Sequence, residues 1–224
     1  TFGTMAMLLE VGFTDFPKLH TFKGDKKYSA QDIQNILMIN PNNSKLLSKK
    51  YIQTKQECNF SISSFLDDLS IDVFPKKQFE RKHNCGGLAL NIAITLLETI
   101  CNGEPSRIEL FLGGAPNIGE GKIVSVDLKE TVRNIVDFQK NNENTQYFKA
   151  AFEYYSNLSQ RAQKAAQIID IYSCSFNQVG LLEMKCCAEK TGGYLILSDS
   201  FSHACFKESF LKLFEVDENG YLNW

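Results

Sequence analysis

The chain has 224 residues, 43% hydrophobic and 12% aromatic, with a formal net charge of -2. That apolar share supports one large domain or two small ones and excludes general disorder. It also leaves no global charge to attract nucleic acid. Residues 1–82 carry 12 Lys+Arg against 9 Asp+Glu, and residues 83–224 carry 12 against 17. A solvated surface accounts for so mild an asymmetry, and an anionic partner is the minority reading. The seven cysteines, Cys58, Cys85, Cys101, Cys174, Cys186, Cys187 and Cys205, are odd in number and form no Cys-x-x-Cys pair, so reduced cytosolic thiols are expected. The longest apolar run, near Leu88–Ile100, is interrupted by Asn91, Thr95 and Glu98 and does not suit a membrane span. There is no signal-peptide pattern, and Thr1-Phe2-Gly3 reads as the abrupt start of a longer chain.

Taken in order, Thr4–Val11 and Lys18–Phe22 read as an antiparallel strand pair at a sheet edge, with Gly12, Asp15 and Pro17 supplying the turn. Ser29-Ala30-Gln31-Asp32 has the form of a capping box and predicts a short helix to about Met38. Ile39–Gln56 is polar and basic without a period and reads as a mobile loop. A helix over Ser61–Leu69 stops before Pro75, and a second basic stretch follows at Lys76, Lys77, Arg81 and Lys82. Gly86-Gly87 open a helix from Leu88 to Ile100 that is apolar over most of its circumference and therefore packed inside the domain. Beyond it, the pattern predicts a strand at Arg107–Leu112, a helix from Phe148 to Ala162 and a strand at Ile168–Tyr172. A helix at Leu181–Lys190, a strand at Tyr194–Leu197 and a helix over Ser202–Phe214 complete it. Strands alternating with helices predict an α/β fold with a mostly parallel sheet covered on both faces.

Candidate chemistry is sparse. Gly113-Gly114-Ala115-Pro116-Asn117-Ile118-Gly119-Glu120-Gly121 is glycine-rich but lacks both Gly-x-Gly-x-x-Gly and a Walker Lys-Ser/Thr ending, so it reads as a structural turn. Cys174, in Ser173-Cys174-Ser175, has no histidine nearby in sequence to lower its pKa. His20, His83 and His203 lack zinc spacing. Cys186-Cys187, adjacent on a helix, diverge by roughly 100° and read as a buried pair. Asp67, Asp68 and Asp72 read as solvated carboxylates rather than a hard-cation site. The basic Lys76-Lys77 and Arg81-Lys82 pairs lack interleaved aromatics for base stacking. With Lys49 and Lys50, they would suit an anionic membrane, at about 1 kcal/mol each at most.

The strings Ile169-Asp170-Ile171-Tyr172-Ser173-Cys174, Gln178-Val179-Gly180-Leu181-Leu182-Glu183-Met184-Lys185-Cys186-Cys187, Thr191-Gly192-Gly193-Tyr194 and Asp199-Ser200-Phe201 closely resemble the trunk domain of the Sec-twenty-three subunit of the COPII coat. Gly87 to Glu98 resembles the family's buried helix, Arg107–Gly114 its following strand, and Thr1-Phe2-Gly3 the end of its second strand. The resemblance covers nearly the whole chain, most loosely between Asn40 and Lys82. It implies a von Willebrand A-like sheet over residues 1–214 that lacks its first strand and crossover helix, with 215–224 opening a following β-sandwich segment. A sheet without that strand would leave costly unpaired backbone groups unless other residues fill the gap.

The resemblance further implies a peripheral protein of the COPII vesicle coat at the cytosolic face of the endoplasmic reticulum membrane. Its partners would be the cargo-binding Sec-twenty-four subunit, the small GTPase Sar-one and, through other regions, outer coat subunits. The family's arginine finger and zinc finger lie outside these residues, so the chain is read as a scaffold without catalytic, cofactor or metal residues and not as an enzyme. The alternative is a metal-dependent von Willebrand A-type ligand-binding domain. Its second metal loop would fall at Asn84-Cys85-Gly86-Gly87, without a Thr, and its third at Gly113-Gly114, without an Asp. A cysteine enzyme using Cys174 is a third reading.

Overall fold

The computed structural model describes residues 1–10, 18–40, 42, 49–69, 77–140 and 145–218. Three apolar runs of the second half become the parallel strands β3 (Ser106–Leu112), β4 (Gln167–Cys174) and β5 (Leu195–Ser198), in the spatial order β3-β4-β5. Ile108 pairs with Ile169 and Tyr172 with Ile196. All but one residue of central β4 are buried, as expected of a parallel strand covered on both faces. The hairpin strands β1 (Met5–Glu10) and β2 (Lys18–Lys23) pair antiparallel from Met5↔Lys23 to Glu10↔Lys18. The hairpin was expected at the edge of the main sheet; instead it forms a separate two-stranded sheet. Its turn at Gly12, Asp15 and Pro17 lies outside the described residues.

One helix joins the two sheets. Helix α3 (Gly86–Cys101; after α1, Ala30–Leu37, and α2, Lys55–Asp68) has Leu90 and Ile94 in a core shared with Ile108, Leu112, Ile169 and Ile171. Its Leu88, Ile92, Leu96 and Ile100 enter a second core with Ala6 and Phe22 of the hairpin and Ile33 and Leu37 of α1. Fully burying each such Leu or Ile contributes about 1.5–3 kcal/mol. The predicted polar stripe meets one cation: Arg161 of α5 (Phe148–Lys164) donates to Asn91 Oδ1 at 2.7 Å, Thr95 Oγ1 at 2.8 Å and the Glu98 carboxylate. Helix α5 and α6 (Leu181–Thr191) complete that side through Tyr155, Leu158, Met184 and Cys187. On the opposite side, α7 (Ala204–Leu213) places Phe206 against Tyr172 and Cys174.

The capping box at Ser29 forms as expected, with Asp32 reaching back to the Ser29 N–H, and α1 ends at Met38 with φ 54°. The expected loop at Ile39–Gln56 needs correction in its described part. A helical turn at 49–51 sets the Tyr51 hydroxyl 3.3 Å from the Leu37 carbonyl, and Lys50 lies 3.0 Å from Glu10, which His20 also contacts at 2.7 Å. The following helix starts at Lys55 rather than Ser61, because Thr54 and Glu57 form a second reciprocal capping box. None of the described α2 side chains is buried. A further short helix, α4 (Ile135–Lys140), was not foreseen.

The segment between β3 and α5 is anchored by a buried ion pair. Arg133, 7% exposed, is bidentate to Glu183, which is fully buried, with Arg133 Nε 2.9 Å from Oε1. Burial pushes the Glu183 carboxyl above its ordinary range, against the opposing pull of Arg133. Glu183→Ala should cost about 3–5 kcal/mol in denaturant unfolding, because it leaves the guanidinium uncompensated, whereas Arg133→Met combined with Glu183→Leu should recover most of that loss.

Candidate functional site

The carboxyl ends of parallel strands are where an open α/β sheet binds ligands, and a groove of about 920 Å³ opens there. Its walls come from 80–84 ahead of α3, from Leu110–Ala115 at the end of β3, and from Ser175, Asn177 and Gln178 after β4. Two asparagines fix the floor. Asn84 Oδ1 accepts from Gly86 N–H at 2.8 Å and Asn84 Nδ2 donates to the Gly114 carbonyl at 3.0 Å. Asn117 Oδ1 accepts from Asn84 N–H at 2.8 Å, and its Nδ2 donates to the Lys82 carbonyl at 2.8 Å. Asn117 N–H and Ile118 N–H both reach the Asn84 carbonyl.

These bonds decide what the loops can hold. A hard divalent cation wants six or more oxygen ligands, carboxylates foremost. Here both side-chain amide oxygens accept backbone N–H groups, and the positions where a metal-dependent domain would have Thr and Asp hold Cys85 and Gly113-Gly114. The donor set does not fit Mg²⁺. The loop glycines answer to packing: a Cβ on Gly87 would sit 2.4 Å from the Glu120 carbonyl, and Gly121, at φ +74°, packs against Tyr154 and Tyr155. The hydroxyls of those tyrosines bond the Gly87 and Gly121 carbonyls, each at 3.0 Å. The expected structural turn is the geometry observed.

The other candidates are dispersed. His20 binds Glu10, and His203 caps α7 by accepting from Cys205 N–H. Among the described residues no three His, Cys, Asp or Glu side chains form a metal cluster; Asp72 lies outside them. Cys174 is buried, and burial raises its thiol pKa, which opposes a nucleophilic role. Cys186 and Cys187 are buried as expected; Cys187 is pushed up by its neighbour and by burial, so it stays a thiol. The basic residues divide. Arg81 faces inward, its guanidinium bonding the Ser125, Asp127 and Glu130 carbonyls. Lys50 pairs with Glu10, while Lys49, Lys77 and Lys82 are exposed; Lys76 lies outside the described residues.

Two features escaped sequence reasoning. Phe176, 88% exposed, projects from the loop after β4. Arg107 and Glu109 of β3 gather with Asp170 and Tyr172 of β4 on one sheet face. Their signal was present: charges at alternate positions of a run that belongs to a buried parallel sheet.

A parallel three-stranded sheet with helices on both faces and a separate antiparallel pair define an α/β domain of von Willebrand A-like fold. The Sec23/Sec24 trunk domain family matches residues 1–214, and the chain belongs to that family, the trunk of COPII vesicle coat subunits. Among solved structures it resembles the human COPII-coat protein Sec24c at 15% identity, with a TM-score of 0.55, over 94% of this chain and 24% of that one. The chain thus spans about a quarter of that protein's length. No helix among the described residues is long and apolar enough to cross a membrane.

Asn84→Ala should cost about 1–3 kcal/mol by leaving loop N–H and C=O groups unpaired. Calorimetry of the parent with Mg²⁺ or Mn²⁺ should give no stoichiometric heat. Thiol titration should find one fast cysteine in the native protein, Cys205, the only exposed one, and all seven after denaturation without reductant.

Proposed function

We propose that this chain is the scaffold portion of the inner COPII coat subunit of the Sec23 type, pairing with the cargo-binding Sec24 subunit. The observation that carries the reading is the combination of a trunk-family fold with ligand loops whose polar groups bond one another. Such a groove suits protein contact, because the asparagines at its floor are committed to bracing the loops around it. The strings from Ile169 to Phe201 favour the Sec23 type. In this reading the GTPase-activating function belongs to the longer polypeptide, of which the trunk supplies part of the surface facing the small GTPase, with outer coat subunits engaged elsewhere. The domain ends near residue 214 and a β-sandwich segment follows. No metal or cofactor is assigned to these residues.

The protein works as a peripheral component at the cytosolic face of the endoplasmic reticulum, and among the described members of the six basic residues first considered, Lys49, Lys77 and Lys82 are the exposed ones that suit an anionic surface. The direct test is co-purification of the full-length protein with the Sec24 subunit; failure to pair would remove the reading. Reversing Lys49, Lys77 and Lys82 together should weaken binding to anionic liposomes, by at most about 1 kcal/mol per charge. Reversing Arg81 should lower stability instead, because its guanidinium holds three loop carbonyls.

A further inference from the structure

Among the described residues, four other than glycine have a positive φ: Met38, Phe79, Asn102 and Ala166. Three of them close helices, where the left-handed conformation satisfies the last carbonyls. Met38 ends α1, Asn102 ends α3 and Ala166 follows the end of α5. Phe79 ends no helix. It is the third residue of a turn closed by the Glu80 N–H on the Lys77 carbonyl at 3.2 Å, and its φ is 67°. A positive φ at that position of a turn favours glycine, and a bulky side chain there is strained. The chain keeps a phenyl ring where the backbone conformation disfavours any side chain.

The strained turn is held by its neighbours. Arg81 N–H donates to the Val126 carbonyl at 2.7 Å and Leu128 N–H to the Phe79 carbonyl at 2.9 Å, so 79–81 and 126–128 run antiparallel with Glu80 opposite Asp127. The Arg81 guanidinium fastens the same ribbon through the Ser125, Asp127 and Glu130 carbonyls. None of this fixing buries the ring: Phe79 is 65% exposed, and Leu128 across the ribbon 48%. Strained residues persist where their surroundings over-determine them, and they gather at sites of binding. The ribbon borders the groove at the mouth of the sheet, which Glu80, Arg81, Lys82 and Leu128 help to line. Beside it Lys77, Lys82 and Lys129 are exposed, whereas Asp127 bonds the Lys129 N–H, Glu130 accepts from Gln146 and Glu80 faces Lys77.

We propose that Phe79, with Leu128 beside it, is the anchor by which this chain docks on its partner coat subunit, entering an apolar pocket with an acidic rim. An aromatic ring on a turn whose backbone is already fixed loses little freedom on docking, and aromatic anchors of that kind carry a large share of interface affinity. The acidic rim follows from the surrounding lysines by charge complementarity. The proposal deepens the scaffold reading and rests on it for the identity of the partner.

The test is the affinity of the purified full-length protein for the Sec24 subunit, with Phe79→Ala and Phe79→Gly as variants. Both remove the ring, and both should weaken pairing at least about tenfold. They differ from each other only in the Cβ, so Phe79→Gly should unfold at a higher denaturant midpoint than Phe79→Ala, because glycine takes a positive φ without strain. Lys129→Glu should also weaken pairing, and by less at high salt. Pairing of either Phe79 variant with the parent's affinity would overturn the proposal and leave the scaffold reading intact. So would a Phe79→Gly protein less stable than Phe79→Ala, or pairing indifferent to Lys129→Glu. A parent protein that does not pair at all would remove both.

Discussion

The fold depends on the burial of α3 around nearly its whole circumference. Most helices bury one stripe and leave the other in water. This one has an apolar layer on each of two sides, so it cannot be stable until both sheets are in place. Of its polar side chains, Asn91, Thr95 and Glu98 are met by Arg161 from α5, and Thr99 accepts from Gln34 of α1. Among the described residues, the hairpin and the three-stranded sheet share no ladder hydrogen bonds to align them. Their relation is set by side chains packed on the same rod.

That arrangement also shapes the loops. The start of α3 is where a metal-binding relative of this fold would gather its ligands, yet here the approach is made by Asn84, whose amide bridges Gly86 and Gly114. Gly87 lets the Glu120 carbonyl come closer than any side chain would allow. Asn84 and Asn117 at the mouth of the sheet are therefore parts of a brace between segments 80–87 and 113–130.

Much of this was legible in the sequence. The interruptions at Asn91, Thr95 and Glu98 identified α3 and its polar stripe, and the β4, α6 and β5 boundaries fell within a few residues of those observed. Two kinds of information were not legible. The Thr54–Glu57 capping box was obscured because helix α2 has little hydrophobic periodicity, and the period was the signal being sought. Arg81 read as one member of a basic surface pair because nothing local shows that three carbonyls some forty residues downstream surround it. Asn117 was hidden in the same way: a polar residue in a glycine-rich loop has no period, and its role exists only through contacts with segment 82–84.

Helix α2 differs from every other long helix here in having no buried side chain among those described. Its first turn is fixed by Thr54 and Glu57, but an isolated helix of 14 residues is only marginally favoured in water. Its backbone hydrogen bonds therefore open by local unfolding, at little free-energy cost, while those of α3 open only when both cores come apart. In hydrogen exchange the two helices lie at opposite ends of one protein. The amides of α2 trade protons quickly and leave the rest of the fold undisturbed, and those of α3 report the stability of the whole.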